Sequence, residues 1–249
     1  MYHPSRYTFS TKAFAQFLCV LSTALFFCLF PPGLSAQFSL GPTAGMAATG
    51  FRWPGDIRTN PASSPRPKFG LVGGIALELD VSKSTAIHAD ILFSQKGGKL
   101  VSNVTNAVDG DTRYESTITL NYAELPILFR IYTPAKPIQF FAGAGLGASF
   151  GLFGRDEIAI HYEKDGVGPV TDIAFRNVDY RDVYKRWDFA AVIEAGFKRE
   201  AGQGVFSLGL RWTGGLMGII NQTGSQTSEI DQLMNKSLAM TMGYRIYLF

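Results

Sequence analysis

Hydrophobic and polar residues alternate with a period of two along most of the chain beyond residue 37, the pattern of strands that set one face against an apolar environment. Eight segments carry it. Phe38 to Ala48 sets Phe38, Leu40, Ala44 and Met46 against Ser39, Gly41, Thr43 and Gly45, and Phe69 to Val81 sets Phe69, Leu71, Ile75, Leu77 and Leu79 against Gly70, Gly74, Glu78 and Asp80. Thr85 to Lys96 opposes Ile87, Ala89, Ile91 and Phe93 to His88, Asp90, Ser94 and Lys96, and Leu120 to Tyr132 opposes Leu125, Ile127, Phe129 and Ile131 to Tyr122, Glu124 and Arg130. Ile138 to Leu152 alternates Phe140, Ala142, Ala144 and Leu146 with Gly143, Gly145 and Gly147; Trp187 to Lys198 alternates Phe189, Ala191, Ile193 and Phe197 with Asp188, Glu194 and Lys198. The last two pair Phe206, Leu208, Leu210 and Trp212 with Ser207, Gly209 and Arg211, and Leu238, Met240, Met242, Tyr244 and Ile246 with Thr241, Gly243 and Arg245.

The links between segments alternate in length. Long ones, among them the proline-rich 49–67 and the charged, tyrosine-bearing 153–186, alternate with short ones at Ser82-Lys83, Thr133 to Pro137 and Arg199 to Gly204. Long loops outside and short turns inside are what outer-membrane barrels show. An even strand count then puts both termini on the periplasmic side.

A soluble barrel also alternates, with its apolar face inward, so the direction of each face must be argued. The polar positions are mostly glycine, serine, threonine and alanine with one or two charges per strand, which suits a crowded lumen better than a water-facing exterior. Threading the strands up and down places Phe69, Phe93, Phe150, Trp187 and Trp212 near the outer rim and Phe38, Phe129, Phe140, Phe197 and Phe206 near the inner one. Two aromatic girdles are expected at the two membrane interfaces. The fold predicted is all-β, an eight-stranded antiparallel transmembrane up-and-down β-barrel over residues 37–249.

Residues 1–36 read as a cleaved signal peptide, with Arg6 and Lys12, an apolar run from Ala13 to Phe30, a Pro-Pro-Gly break and Leu34-Ser35-Ala36. Both cysteines, Cys19 and Cys28, lie inside it, so the mature chain has no thiol chemistry. Beyond Gln37 no apolar run reaches the roughly 18 residues of a membrane helix, and only helices and closed barrels satisfy every backbone group in hydrocarbon. Loss of Arg6 and Lys12 takes the 23 basic residues to 21 against 20 acidic ones. That balance gives no footprint for nucleic acid.

The stretch Leu120-Asn-Tyr-Ala-Glu-Leu-Pro-Ile-Leu-Phe-Arg130, the run Phe141-Ala-Gly-Ala-Gly-Leu-Gly147 and the end Gly243-Tyr-Arg-Ile-Tyr-Leu-Phe249 together resemble the PorT-like outer-membrane β-barrel family of Bacteroidetes-type bacteria. The resemblance covers essentially the whole mature chain, and Tyr122, Glu124 and Pro126 are its most specific element. It implies a barrel in the outer membrane and, for some members, a link to protein secretion. Phe249 looks like the end signal read by barrel-assembly machinery, although it shares parity with Arg245 and Gly243 rather than with the apolar face.

The charged positions define the candidate site. Asp90, Glu124, Glu194, Arg211 and Arg245 are expected near mid-barrel, with Glu78, Asp80, Arg130 and Lys198 nearer the periplasmic end. Buried charges persist when paired and hydrogen-bonded, so Glu124 and Glu194 are expected to join Arg211 and Arg245 in a salt-bridge plug, with His88 as a further member. A lipid-modifying enzyme would need a nucleophile beside a base; His88 points into the lumen and His161 lies in a loop beside Glu163 and Asp165. No catalytic, cofactor or metal residues are assigned, because Asp109, Asp111 and Glu115 fail the EF-hand spacing and Gly143, Gly145 and Gly147 fail the dinucleotide fingerprint. The expected role is non-enzymatic, structural, adhesive or accessory to secretion, with a narrow porin as the alternative. The expected partners are outer-membrane lipid, the assembly machinery and a protein held by loops 49–67 and 153–186, on a monomeric barrel.

Overall fold

The alternating segments close on one another. The computed structural model describes residues 37–52, 63–106, 110–134, 137–164, 168–178, 184–220 and 233–248. Ten strands lie among them: β1 (Gln37–Arg52), β2 (Ser63–Arg66), β3 (Lys68–Ser82), β4 (Thr85–Asn106), β5 (Gly110–Tyr132), β6 (Ile138–Lys164), β7 (Gly168–Val178), β8 (Trp187–Ala201), β9 (Gly204–Gly215) and β10 (Met234–Tyr247). Strands β1, β3, β4, β5, β6, β8, β9 and β10 pair antiparallel in that order and β10 returns to β1, giving a closed eight-stranded barrel with no free edge. Short β2 adds to the far end of β4, and β7 to the far half of β6. The expected signal peptide 1–36, Trp53, Asp109 and Phe249 lie outside the described residues.

One row of paired residues measures the stagger. Ile87 faces Phe129, and the row continues through Ala144, Ile193, Trp212, Leu238, Ala48 and Phe69. Carrying the Val72–Ser94 register onward returns it to β4 at Gly97, ten residues above Ile87. For eight strands about 4.8 Å apart and rising about 3.3 Å per residue, this stagger tilts each strand by about 40°.

At that tilt the 12 residues of β9 climb about 30 Å along the barrel axis, close to the ~25 Å apolar band of outer-membrane barrels. The 23 residues of β5 and 27 of β6 climb roughly 60–70 Å. Strands β4, β5 and β6 therefore project well past one end. Much of what was expected as long loops is strand: β4 and β5 pair out to Asn106–Gly110, and β6 and β7 pair from Gly154–Val178 to Lys164–Gly168. These extensions alternate among polar residues, so a hydrophobic period does not reveal them. Within 49–67, β1 runs on through Arg52 and β2 forms at Ser63–Arg66.

The opposite end carries the short hairpins and both ends of the barrel, with Ser39 paired to Tyr247. The turn expected over Arg199 to Gly204 narrows to Gly202-Gln203, since Ala201 already pairs with Gly204. Gly202 has φ +63°, and glycine at the first central position is what a type II′ hairpin turn requires. At the other end Gly97, with φ +126°, marks where β4 leaves the barrel wall for its extension.

The outer face is apolar on every barrel strand. Met46, Ile75, Ile91, Ile127, Leu146, Ile193, Leu210 and Met240, one from each, are between 48% and 65% exposed. Phe93, Ala123, Phe150 and Trp187 form one paired row toward the extended end, with the Phe150 and Trp187 rings edge-to-face at 5.1 Å. Past that row the residues turn polar, as at Lys99, Glu115, Arg155 and Asp156. Phe140 pairs with Phe197, and Phe206 with Tyr244, near the short-hairpin end. Trp212 departs from its expected rim position: the stagger starts it near mid-height beside Leu238, and its ring reaches up over Gly214.

Candidate functional site

Inward parity puts the charged residues where water cannot reach, and the barrel interior solves this by pairing them. Glu78 of β3 is the hub, 1% exposed. Its Oε2 accepts a hydrogen bond from Arg130 Nη1 at 2.7 Å and lies 3.2 Å from His88 Nδ1. Its Oε1 accepts from Lys198 Nζ at 3.2 Å and lies 3.0 Å from Arg245 Nη2. Arg130 also donates to Glu194 at 2.8 Å, Arg211 reaches Glu194 at 3.3 Å and Asp90 at 2.6 Å, and His88 Nε2 lies 3.0 Å from Asp90.

These contacts close a ring: Glu78, Arg130, Glu194, Arg211, Asp90, His88 and back to Glu78. It crosses the lumen, because β9 and β4, which carry Arg211 and Asp90, stand four places apart in the eight-strand circuit. Lys198 also approaches Asp80 at 3.6 Å, so four acidic side chains meet four basic ones around one histidine. The ring has room because its neighbours are glycines. A Cβ on Gly143 would lie 2.9 Å from Arg130 Cγ, and one on Gly209 would lie 2.7 Å from Glu194 Oε1. Arg130 and Lys198 also lie against the Phe141 and Tyr132 rings at 4.5 and 3.7 Å, within cation–π reach.

Toward the extended end the interior changes character three times. A thin apolar layer of Ala47, Val72, Leu92 and Ala239 comes first. A second polar group follows: Lys96 Nζ lies 3.5 Å from Glu124 and donates to Ser149 at 3.1 Å, while Asn235 donates to Asp188 at 2.9 Å and to the Tyr122 hydroxyl at 3.2 Å. Above it sits an apolar cap of Phe51, Ile118, Leu120, Tyr122, Tyr184, Ile219 and Leu233. The cap is tied by backbone bonds from Lys185 N–H to Ile219 O at 2.7 Å and from Ile219 N–H to Leu233 O at 2.8 Å. The segments flanking β8, β9 and β10 thus fold in over the mouth.

The grouping differs from that expected of the sequence. Glu194 pairs with Arg211, but Glu124 pairs with Lys96 in the upper layer, and Arg245 sits low against Glu78. Arg245 stands two residues from the short-hairpin end of β10, whereas Glu124 stands eight from that end of β5, which puts the two in different layers. Lys96, Asp188, Asn235 and Tyr122 complete the upper layer and were not singled out as a group; their shared inward parity was the available signal. His161 lies outside the barrel wall with its Nδ1 2.9 Å from Thr171 Oγ1. Among the described residues no cluster of three or more His, Cys, Asp or Glu is arranged to hold a metal ion.

No curated protein matches this chain. Among solved structures it is similar to Neisserial surface protein A (NspA), at 9% identity over 84% of this chain and 96% of that one, TM-score 0.42. It is also similar to the outer membrane protein OprG from Pseudomonas aeruginosa, at 9% identity over 86% and 96%, TM-score 0.43, and to the outer membrane protease OmpT from Escherichia coli, at 11% identity over 86% and 96%, TM-score 0.30. Residues 14–221 match the outer membrane protein beta-barrel domain family, and the chain, with its closed eight-stranded barrel and outward apolar face, belongs to that family.

Proposed function

We propose that this outer-membrane barrel is sealed and non-enzymatic, with its short hairpins and both termini in the periplasm and its strand extensions presented outside as a surface for protein contact. The observation that carries the reading is the doubly closed interior, an ion-pair ring across the lumen and an apolar cap over the mouth. An eight-stranded barrel leaves an interior just wide enough for side chains to fill. Against catalysis stands the placement of both mature-chain histidines: His88 is held between two carboxylates of the ring, and His161 meets the Thr171 hydroxyl with no carboxylate among the described residues hydrogen-bonded to its ring to orient it as a base.

The extensions suit a binding role through their composition. Lys99, Arg113, Glu115, Asp156 and Glu157 present mixed charge on strands that no membrane thickness requires. The finer resemblance to PorT-like barrels, and with it a link to secretion, rests on Tyr122, Glu124 and Pro126, all of which face the lumen. Liposome swelling tests the seal: reconstituted protein is expected to give no swelling with small sugars, and swelling would replace this reading with that of a porin. Capture from outer membranes, with and without residues 154–178, tests the contact surface. A partner lost with the deletion is expected, and an identical set of captured proteins would remove that role.

A further inference from the structure

Outside the lumen, where β9, β10 and β1 approach the projecting end, the wall holds a cleft of about 230 Å³. Its floor is Gly50, whose partner across the ladder is Lys236. A Cβ on Gly50 would meet nothing nearer than Lys236 Cε at 3.6 Å, so the glycine leaves the space open. Trp212, folded up over Gly214, and Leu238 form an apolar wall; Pro67 closes another side, and Arg66 and Lys236 are exposed at the opening. None of the described lining residues is acidic.

By parity Lys236 points outward, two residues before the lipid-facing Leu238, and the stagger sets it near the height of Phe69 and Trp187. At the height of the aromatic rim an outward cation is tolerated and lies level with lipid headgroups, whose phosphates are anions. An aromatic and aliphatic wall beneath two cations matches a molecule with a charged head and a hydrocarbon tail. The cleft is smaller than the ~300 Å³ where small-molecule pockets begin, room for one phosphate and the top of one chain.

We infer that this cleft seats a phosphorylated, acylated lipid of the outer leaflet, its phosphate between Arg66 and Lys236 and its upper acyl methylenes against Trp212 and Leu238. The placement rests on reading the projecting end as the outer face. Binding is tested on purified full-length protein in detergent, where orientation has no influence, so failure to bind and failure of the orientation are separate results. Native mass spectrometry with bis-phosphorylated lipid A is expected to show one lipid retained per barrel. The double variant R66Q/K236Q and the filled variant Gly50→Leu are each expected to lower its affinity at least tenfold, with folding checked by heat-modifiable migration. Dephosphorylated lipid A is expected to bind as weakly as the double variant, and inorganic phosphate alone not to compete. Equal retention by wild type and both folded variants would overturn the proposal, as would competition by free phosphate, which would reduce the cleft to a bare anion site.

Discussion

Glu78 concentrates the energetics of the ring, because a single carboxylate faces Arg130, Lys198, Arg245 and His88. Removing one partner of a buried ion pair leaves uncompensated charge and costs about 3–5 kcal/mol. Glu78→Gln keeps the shape and removes the charge, so it is expected to destabilise the barrel by about that amount in urea unfolding from lipid vesicles. A change under 1 kcal/mol would mean that the three cations find other partners. Gly209 tests the same ring sterically. Gly209→Val puts a branched side chain where the Glu194 carboxylate now lies, and overpacking of this kind costs about 1–3 kcal/mol. The double variant of Gly209→Val with Glu194→Ala is expected to recover part of the steric cost, which a purely backbone effect of valine would not allow. Inward orientation of all these residues was legible from parity alone. Their partners were not: a count from the short-hairpin end already parts Arg245, two residues before the end of β10, from Glu124, eight before the end of β5, but which inward residues meet across the lumen depends on the register of all eight strands.

At the scale of elements, barrel strands and extensions obey different rules. Each barrel strand alternates apolar with small or polar residues and was readable for that reason. The outer halves of β4, β5 and β6 alternate threonine, serine and charge, as in Lys99, Thr117 and Glu157, and a reading based on hydrophobic period ends each strand too soon. These halves hold together by ladder bonds and cross-strand pairs. Glu115 accepts a hydrogen bond from Lys99 Nζ at 2.9 Å and lies 3.3 Å from Arg113. The Lys99 hydrogen bond, aided by the nearby cationic charge of Lys99 and Arg113 and opposed by partial burial, holds its carboxyl below the usual carboxylate range. A depressed folded-state value means that the pair stabilises the hairpin fully above the ordinary carboxylate range and loses that contribution as pH falls through the lowered value. Amide hydrogen exchange in β4–β5 beyond Gly97, corrected for intrinsic rate, is expected to stay level from neutral pH down to the ordinary carboxylate range and to quicken only below it. Glu115→Gln should remove that step. A step near pH 6 that survives the substitution would assign the effect to another group.

For the whole molecule the order of layers matters more than any one of them: ionic ring, thin apolar layer, second polar group, apolar cap. On the proposed reading of a closed lumen, such an arrangement makes sealing redundant. Hydrated ions that pass the cap meet fixed, mutually compensated charges below it, and ions entering from the short-hairpin end meet the ring before an apolar layer that offers them no partners. The two seals lie on different segments, Arg211 and Asp90 on β9 and β4, and Phe51, Ile219 and Leu233 at the mouth. Opening one should therefore leave the other closed. In planar bilayers, Arg211→Ala alone and the cap variant Phe51→Ala with Ile219→Ser alone are each expected to show no more conductance than wild type. Their combination is expected to give small, discrete current steps. Conduction by the cap variant alone would show that the ionic ring blocks nothing, and silence of the folded combination would put the barrier in the apolar layer of Val72, Leu92 and Ala239, where Leu92→Ser becomes the next variant to record.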